Sequence, residues 1–516
     1  MASATGQQLV NDQYPLVAPF AYAVIKNDPD SGQLIYTIQE IPLSKKESEV
    51  EKLIRDVIVE SLALDFSQAV NRAAAETFLD EKVAEIARSY GVSLPVSNLD
   101  RIAYYLKKDF IGFGTVDPLL ADPNIEDISC DGTGIPVFIV HKKYSSIATN
   151  IIFHSDESLN SFVIKVAQRA NRHISVADPL LDAALPDGSR INCTYGREIT
   201  KRGPTFTIRK FREDPFTIID LCTFGTIDEM IAAFFWFVLE YQKSLLIAGG
   251  TAAGKTTLLN GVAMFIKPGN KVVSIEDTPE LRLPHENWIQ SVSRQGFGSF
   301  EGGKKRGEVT MYDLLRAAVR QRPDFLFVGE VRGAEAFTLF QAMATGHAGM
   351  GTIHGDSPMG VIRRLETKPM NIPRQMIASL NLISVQRQIK RKKQVSTTGH
   401  FIIENVRRCV QVVEVVGVDP TTNDLVTNEV FAWDPRDDLF QYSGRSYLLE
   451  QIQDVTSYSE EQIMAELDNR ATIIKAMVHS KRRTFEDVAS AITDYYGDPE
   501  KTLRDYKRFL KSDSVF

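Results

Sequence analysis

One short glycine-rich segment constrains the fold of this chain more than any other feature of its sequence. Residues 249–256 read Gly-Gly-Thr-Ala-Ala-Gly-Lys-Thr, which fits the pattern G-x-x-x-x-G-K-T. An apolar run precedes the segment, and a helical pattern of Leu258, Leu259, Val262 and Phe265 follows it. A strand, a glycine-rich turn and a helix in this order allow backbone N–H groups and the helix N-terminus to surround a phosphate. The sequence therefore predicts a phosphate-binding loop, and a chance match would lack these flanking elements.

The residue types in this loop predict specific contacts with a nucleotide. Lys255 is expected to reach the β and γ phosphates, and the Thr256 hydroxyl is expected to ligate Mg²⁺. The candidate nucleotide-binding residues are Gly249, Gly250, Thr251, Ala252, Ala253, Gly254, Lys255, Thr256 and Thr257.

Hydrolysis of a nucleotide also needs an acidic group at the end of a neighbouring strand. Glu330 directly follows the run Phe-Leu-Phe-Val-Gly. Gly329, the last residue of this run, occupies the position at which the simplest pattern has an Asp. Metal ligation would then fall to Glu330 or to water. A Glu that caps the next helix is the alternative interpretation of this residue.

A second acidic cluster and two histidines follow apolar runs elsewhere in this half of the chain. Glu276, Asp277 and Glu280 form a cluster that could face Lys255 and Mg²⁺, although a solvated cluster at a helix start has the same composition. His347 and His354 lie in a glycine-rich segment and could bond a γ-phosphate, whereas His347 could equally be structural. No Cys or third His accompanies them, which argues against zinc.

The pattern of apolar runs predicts the fold class and the domains. A chain of 516 residues is too long for one core. Short apolar runs alternate with helical segments in the second half, which predicts a mainly parallel, doubly wound α/β sheet. We expect an extended arm and small helical bundle at 1–98, an α+β domain at 99–214 with a linker at 213–215, and a doubly wound domain that carries the phosphate-binding loop, a C-terminal hairpin and a helical tail at 215–516.

Local patterns refine the first two of these domains. Apolar residues at helical spacing predict three helices before Phe110, and Ser97 with Asp100 resembles a capping box for the third. The run Gln-Leu-Ile-Tyr-Thr-Ile-Gln-Glu-Ile suggests a hairpin in the arm.

Composition excludes several classes of protein. Apolar residues make up 43% and charged residues 24%, so the chain is not wholly disordered. The net charge of −7 argues against a nucleic-acid coat protein. The most apolar run, Met230–Leu239, is about half of what a bilayer span needs. With no signal-peptide pattern at the N-terminus, we expect neither a secreted nor a membrane-spanning protein, but docking onto a membrane stays possible.

Four cysteines are spread through the chain without C-x-x-C spacing, which argues against a disulfide framework or a four-Cys zinc site. They are expected to be buried apolar residues in a reducing compartment: Cys130, Cys193, Cys222 and Cys409.

The order of the motifs resembles one known group of proteins. The segments GGTAAGKTT, IEDTPEL, RPDFLFVGEVRG and ATGHAGMGTIHGDS resemble the Walker A, Asp, Walker B and His boxes of the secretion ATPase superfamily. This is the GspE/PilB/FlaI and Vir-type group that powers type II and type IV secretion, pili and archaella. The resemblance covers roughly residues 100–420. The sequence lacks a tetracysteine module, and in this respect it resembles the archaeal branch of the group. The segment VFAWDP resembles the same branch.

The resemblance implies a RecA-like P-loop NTPase domain preceded by an α+β N-terminal domain, with ATP and Mg²⁺ bound between them. Glu276 would then position the attacking water, Glu330 would support Mg²⁺ and His354 would sense the γ-phosphate. Arg190 and Arg209 match arginines of the N-terminal domain that reach the nucleotide, and Arg332 is a weaker match.

The same resemblance implies the assembly and its partners. It implies a homohexamer on the cytoplasmic side of the membrane that acts with a polytopic membrane platform protein and pilin-like filament machinery, without direct contact with nucleic acid. Pilus assembly, archaellum rotation and type II secretion stay open. A DNA- or protein-translocating type IV secretion ATPase and a nucleotide-binding scaffold without turnover are the alternatives.

Overall fold

The structure is a computed structural model that describes residues 10–29, 31–61, 72–211, 215–294, 296–301, 304–394 and 401–511. The chain divides into two compact units, Met1–Arg212 and Glu213–Phe516. Each unit has its own nine-stranded sheet and its own apolar cores. The predicted linker residues 213 and 214 lie outside the described residues.

The described part of the first unit contains nine strands and five α-helices. Its strands are β1 (Asn11–Val17), β2 (Ala21–Asn27), β3 (Leu34–Glu40), β4 (Ile125–Cys130), β5 (Pro136–His141), β6 (Ser145–Ile152), β7 (Leu180–Ala184), β8 (Arg190–Thr194) and β9 (Thr205–Arg209). Its helices are α1 (Lys45–Ser61), α2 (Arg72–Ser89), α3 (Val96–Phe110), α4 (Asp117–Ala121) and α5 (Asp156–Arg169), with a 3-10 turn at Gly114–Val116.

These strands of the first unit form one sheet in the order β1-β2-β3-β6-β5-β4-β9-β8-β7. Strand β3 pairs in parallel with β6, and the other neighbours are antiparallel. The sheet therefore runs across the predicted boundary at residue 98, because the strands of the predicted arm join those of the α+β segment. The division at 98 and 214 stays a prediction.

Helices α1, α2 and α3 pack on one another around a separate small core. Ile54, Ile58, Leu79, Ile102 and Leu106 are buried there. The predicted capping box at the start of α3 is wrong. The helix begins one residue before Ser97, after Pro95, and no side chain caps it. Pro95 occupies the N-cap position instead, with a ψ of 151° that lies outside the helical region.

The second unit contains the predicted phosphate-binding loop. Its strands are β10 (Leu245–Gly249), β11 (Val272–Glu276), β12 (Trp288–Val292), β13 (Phe297–Glu301), β14 (Lys304–Arg306), β15 (Phe325–Val331), β16 (Ala348–His354), β17 (Leu382–Gln394), β18 (Phe401–Val418), β19 (Leu425–Asp434) and β20 (Leu439–Tyr442). Its helices are α6 (Ile218–Thr223), α7 (Glu229–Glu240), α8 (Lys255–Ala263), α9 (Met311–Ala318), α10 (Glu335–Ala344), α11 (Pro358–Glu366), α12 (Arg374–Ile377), α13 (Tyr447–Val455), α14 (Glu460–His479), α15 (Phe485–Gly497) and α16 (Pro499–Lys511), with a 3-10 turn at Val319–Gln321.

Nine of these described strands form one sheet in the order β12-β11-β15-β16-β10-β17-β18-β19-β20. The first six strands in this order are parallel, and the last four pair antiparallel. The predicted doubly wound parallel sheet is confirmed. The predicted C-terminal hairpin is β19 with β20, which extends the same sheet.

Alternate residues of the central strands enter two different cores, as expected for a sheet covered by helices on both faces. On β10, Leu245 and Ile247 pack in one core, and Leu246 and Ala248 pack in the other. The first core includes the wholly buried apolar residues of α7 and side chains of the C-terminal helices. The apolar run at 230–239 is therefore a core helix, and among the described residues no helix is long and apolar enough to cross a membrane.

Strands β17 and β18 form a long antiparallel hairpin that the sequence pattern does not predict. Their pairing extends from Leu382 opposite Glu414 to Gln394 opposite Phe401. The base of the hairpin belongs to the central sheet, because β17 pairs in parallel with β10. The hairpin therefore lies directly beside the strand that leads into the phosphate-binding loop.

Candidate functional site

The candidate site lies at the carboxyl edge of the parallel strands in the second unit. Strand β10 ends at Gly249, β11 ends at Glu276, and β16 ends at His354. Gly249 and His354 are direct partners in the ladder between β10 and β16. In open α/β sheets, ligands bind outside this edge. The strands β10, β11 and β16 thus bring three of the four sequence boxes to one edge of the sheet. The fourth box reaches the same edge through Glu330, near the end of β15.

Two residues of the loop between β10 and α8 have a left-handed backbone conformation. Gly254 has a φ of 89° and caps α8, and Ala252 has a φ of 56°. The left-handed region is easily reached by glycine and is unfavourable for a residue with a Cβ. Lys255 donates a hydrogen bond from Nζ to the carbonyl oxygen of Gly250 at 2.9 Å. Its ammonium group therefore lies beside the start of the loop.

Glu276 is a buried carboxylate held in a fixed position. Its side chain is 1% exposed. Its Oε1 accepts hydrogen bonds from the N–H groups of Glu280 and Leu281, both at 2.9 Å, and its Oε2 accepts one from Nε2 of Gln290 at 3.1 Å. Burial raises the pKa of Glu276, and the three hydrogen bonds oppose that rise. The result is a carboxyl group that accepts a proton more readily than an exposed Glu does.

The other members of the acidic cluster have different surroundings. Asp277 is exposed and accepts a hydrogen bond from Oγ of Ser293 at 2.8 Å. Glu280 is exposed, and its backbone N–H is what contacts Glu276. Glu276 is therefore the member of this cluster whose carboxylate is both buried and anchored.

Gly329, at the position before Glu330 where the simplest pattern has an Asp, lies against Glu276. A Cβ added at position 329 would lie 3.3 Å from Cγ of Glu276 and 3.5 Å from its Cα and Cβ. A side chain at 329 would therefore crowd Glu276, and an acidic one would bring a second negative charge against it. The carbonyl of Gly329 accepts a hydrogen bond from Oγ1 of Thr352 at 2.6 Å, which ties β15 to β16 at this point.

Glu330 lies within electrostatic reach of Arg332, Lys255 and His354. It forms an ion pair with Arg332. Burial alone would raise the pKa of Glu330, but the hydrogen bond from Arg332 and the charges of Arg332, Lys255 and His354 lower it below its usual value. Glu330 is therefore ionised at neutral pH and lies within electrostatic reach of the loop lysine.

The two histidines of the glycine-rich segment differ in their environment. His347 is half-buried, and its Nδ1 lies 3.3 Å from the carbonyl of Ala342, before β16 begins. His354 is exposed at the end of β16, beside Gly249. The geometry is that of a local structural contact for His347, whereas His354 is open to a ligand at the loop.

The two candidate arginines of the first unit lie side by side. Arg190 and Arg209 are direct partners in the antiparallel ladder of β8 and β9, so their side chains project from the same face. Arg190 forms an ion pair with Asp182 at 2.7 Å. Arg209 lies 3.9 Å from Asp127, and its side chain is 65% exposed. The structure thus brings these two positions, which are well separated in the sequence, onto one rung of the sheet.

Three residues of the β17–β18 hairpin contact the site region and were not predicted from the sequence. Gln386 is buried opposite Gly249 in the ladder of β10 and β17. Arg387 donates from Nη2 to the carbonyl of Asp356 at 2.9 Å, in the turn that follows His354. Arg407 donates from Nε to the carbonyl of Ala252 at 3.0 Å. None of the three residues belongs to a motif. In the sequence, only the neighbouring apolar runs indicate that these residues belong to strands.

The residues fit a magnesium ion only if a nucleotide is bound with it. Among the described residues, no group of three or more His, Cys, Asp and Glu side chains is placed to hold a metal. The predicted ligands are the Thr256 hydroxyl and Glu330. Phosphate oxygens and water would complete the shell, and such a shell is usual for Mg²⁺.

Comparisons with known proteins agree with the motifs. Residues 113–496 match the protein family described as Type II/IV secretion system protein. The uncharacterized protein MJ0900 of Methanocaldococcus jannaschii is 38% identical over 401 residues, which cover 77% of this chain and 70% of that protein.

Two further relatives are more distant. The Type IV secretion system protein VirB11 of Bartonella henselae is 28% identical over 235 residues, which cover 39% of this chain and 64% of that protein. The ATPase DotB of Yersinia pseudotuberculosis, which has an X-ray structure, shares 15% sequence identity with this chain. The match covers 73% of this chain and 92% of the DotB chain. Its TM-score is 0.40, and no conclusion rests on that likeness.

The family match spans well over half of the chain and includes all four boxes at the sheet edge. The chain belongs to the family of type II/IV secretion system proteins.

Proposed function

We propose that this protein hydrolyses ATP and uses the reaction to drive assembly or rotation of a type IV pilus-like or archaellum filament, or a related type II secretion machine. The observation that carries the proposal is the buried, anchored carboxylate of Glu276 at the same sheet edge as the loop with Lys255. Family membership supports the coupling to a secretion or filament machine.

The loop residues 249–257 would bind the phosphates of ATP. The backbone N–H groups of the turn and the first turn of α8 offer donors to the phosphate oxygens. Lys255 would move its ammonium group from the Gly250 carbonyl to the β and γ phosphates. The Thr256 hydroxyl and Glu330 would hold Mg²⁺, which supplies positive charge at the phosphates when it is bound.

Glu276 would orient the attacking water and accept its proton. A buried carboxylate with a raised pKa is suited to this task, because a base works best when its pKa is closer to the working pH. The two backbone N–H groups on Oε1 fix the direction of the carboxylate. His354, exposed beside Gly249, would contact the γ-phosphate and detect its release.

Arg190 and Arg209 of the first unit would add positive charge to the transition state. Their shared rung on β8 and β9 supports a joint role, because both guanidinium groups project from one face of the sheet. An arginine that meets the charge developing on the transferred phosphoryl group gives a large rate factor. ATP would thereby draw the two units together, and hydrolysis would release them.

The proposed assembly is a homohexamer on the cytoplasmic face of the membrane. In such a ring, closure of each subunit in turn would push on a polytopic membrane platform protein, which would move pilin-like subunits. The proposal involves no direct contact with nucleic acid, which agrees with the net charge of −7.

The first experiment measures phosphate release from ATP by the purified protein and by the Lys255→Ala variant. Turnover is expected to fall by about 100-fold or more in the variant, because the charge that stabilises the γ-phosphate is lost. Lys475→Ala, an exposed lysine on α14, is the matched control and should keep full turnover. Full turnover in Lys255→Ala would refute the assignment. No turnover in the wild-type protein, with nucleotide binding intact, would favour the non-hydrolysing scaffold.

The second candidate is a DNA- or protein-translocating type IV secretion ATPase. The similarity to VirB11 over 39% of the chain favours it. A comparison of turnover with and without added DNA tests the DNA branch: the filament proposal predicts no stimulation, and a strong, salt-sensitive stimulation would support the DNA motor.

A further inference from the structure

The P-loop contains a backbone conformation that its own sequence does not favour. Ala252 has a φ of 56°, in the left-handed region. A Cβ makes this region unfavourable, so a non-glycine residue stays there only when its surroundings hold it. The neighbouring left-handed residue, Gly254, needs no such support because it has no side chain.

One side chain from the hairpin holds this part of the loop. Arg407 on β18 donates from Nε to the carbonyl oxygen of Ala252 at 3.0 Å. Its Cδ also lies 3.1 Å from the point where a Cβ on Gly254 would be. The arginine therefore fixes the peptide after Ala252 with a hydrogen bond and lies against the next turn of the loop.

Hydrogen bonds made by the neighbouring residue, Arg408, hold the part of β18 that carries Arg407. The next residue, Arg408, is buried and donates to both carboxylate oxygens of Asp438, at 2.8 and 3.0 Å. Arg408 also donates from Nη1 to the carbonyls of Phe224 at 3.1 Å and of Arg407 at 2.9 Å. The backbone carrying Arg407 is thus bonded to the turn before β20 and to the segment after α6.

We propose that Arg407 is a positioning residue for nucleotide binding, which acts by holding Ala252 in the left-handed conformation that the phosphate-bound P-loop needs. The inference rests on the proposed nucleotide-binding function. Arg407 would lower the free energy needed to order the loop, and would therefore tighten nucleotide binding without taking part in hydrolysis. Pre-organisation of a loop acts mainly on affinity in this way.

The test uses the full chain and a double-mutant cycle with a fluorescent ADP analogue. Arg407→Met keeps the length of the stem and removes the donor. We expect this variant to bind the analogue about 5-fold more weakly, as the loss of one hydrogen bond predicts. The KM for ATP should rise by a similar factor while kcat stays the same.

The Ala252→Gly variant provides the decisive comparison, because glycine reaches a positive φ of this size without help. When Arg407→Met is added to the Ala252→Gly variant, it should weaken binding by less than about 2-fold, so the two substitutions should be clearly non-additive. Lys390→Met is the control, since it removes a positive charge from an exposed position on the same hairpin.

The outcomes separate this inference from the proposed function. If the wild-type protein bound no nucleotide, the proposed function would fail and the inference with it. If the wild-type protein bound the analogue but Arg407→Met weakened binding equally with and without Ala252→Gly, Arg407 would act on the nucleotide directly and the inference would be wrong. Unchanged binding in Arg407→Met would also overturn it.

Discussion

At the scale of single residues, the environment of Glu276 is the most informative about the chemistry of the candidate site. It combines burial with three hydrogen bonds that fix its orientation. Its described hydrogen-bond partners are neutral donors, and burial raises its pKa in spite of them. A buried, oriented carboxyl group with a raised pKa at the carboxyl edge of the sheet is a candidate catalytic group.

We predict that Glu276→Gln binds ATP but turns it over about 100-fold more slowly, because an amide cannot accept the proton of water. Single-turnover phosphate release and equilibrium nucleotide binding measure the two effects separately. Glu286→Gln, an exposed carboxyl in the same segment, is the control and should behave as the wild type. Loss of nucleotide binding along with turnover would show that Glu276 is structural.

The raised pKa of Glu276 predicts the direction of the pH dependence. As the pH falls, Glu276 is protonated earlier than an ordinary Glu, so the rate of hydrolysis should fall at a higher pH than an exposed carboxylate would cause. For stability the sign is opposite: the ionised form is disfavoured in the folded state, so protonation of Glu276 relieves a cost as the pH falls. A profile of kcat against pH checks the first point, and an acid limb at the usual Glu value would contradict it.

At the scale of elements, the β17–β18 hairpin connects the loop, the His354 turn and the C-terminal strands. Its anchor is the ion pair between buried Arg408 and Asp438. The hydrogen bond from Arg408 leads the interactions that lower the pKa of Asp438 to about 2. The pair therefore stabilises the fold above the unfolded pKa of Asp, and this stabilisation is lost as the pH falls from about 4 to 2.

We predict that Asp438→Ala lowers the free energy of unfolding at neutral pH by about 2 kcal/mol or more, because it leaves Arg408 buried without its carboxylate. Urea unfolding at pH 7 measures the effect, and its difference from the wild type should shrink towards pH 3. Asp437→Ala, at the exposed neighbouring position, is the control. A loss of equal size at both pH values would show that Asp438 acts through packing.

The same elements show what the sequence could and could not predict. The short apolar runs of the second half, whose alternation with helical segments predicted a parallel sheet, became β10, β11, β12, β15 and β16. Strand β17 continues into Arg-Gln-Ile-Lys-Arg-Lys-Lys-Gln, where most side chains are polar, so no apolar pattern marked the hairpin. Gln386 and Arg407 were missed for the same reason. Their contacts with the loop depend on the pairing of β17 with β10 and of β18 with β17, which local sequence does not encode.

Misleading local signals account for one further difference. Ser97 and Asp100 have the spacing of a capping box, but Pro95 starts α3 and places both residues inside the helix. By contrast, the site residues 276, 330 and 354 could be placed together from the sequence, because the carboxyl ends of parallel strands share one edge. Their catalytic roles stay a prediction.

At the scale of the whole molecule, we propose that ATP binding draws the two units together and that hydrolysis releases them. We predict that the radius of gyration of the Glu276→Gln variant falls when ATP is added, because the γ-phosphate would join the P-loop to Arg190 and Arg209. Small-angle X-ray scattering measures this change. The Lys255→Ala variant should show no change, and an equal contraction in that variant would mean that the loop is not the cause.

The most direct test is an experimentally determined structure of the assembled protein with a non-hydrolysable ATP analogue and Mg²⁺. We predict that the terminal phosphate lies against Lys255, that the Glu276 carboxylate faces the terminal phosphorus through a water molecule, and that Arg190 or Arg209 approaches the same phosphate. An analogue bound elsewhere, with residues 249–257 empty or Glu276 turned towards bulk solvent, would contradict the account.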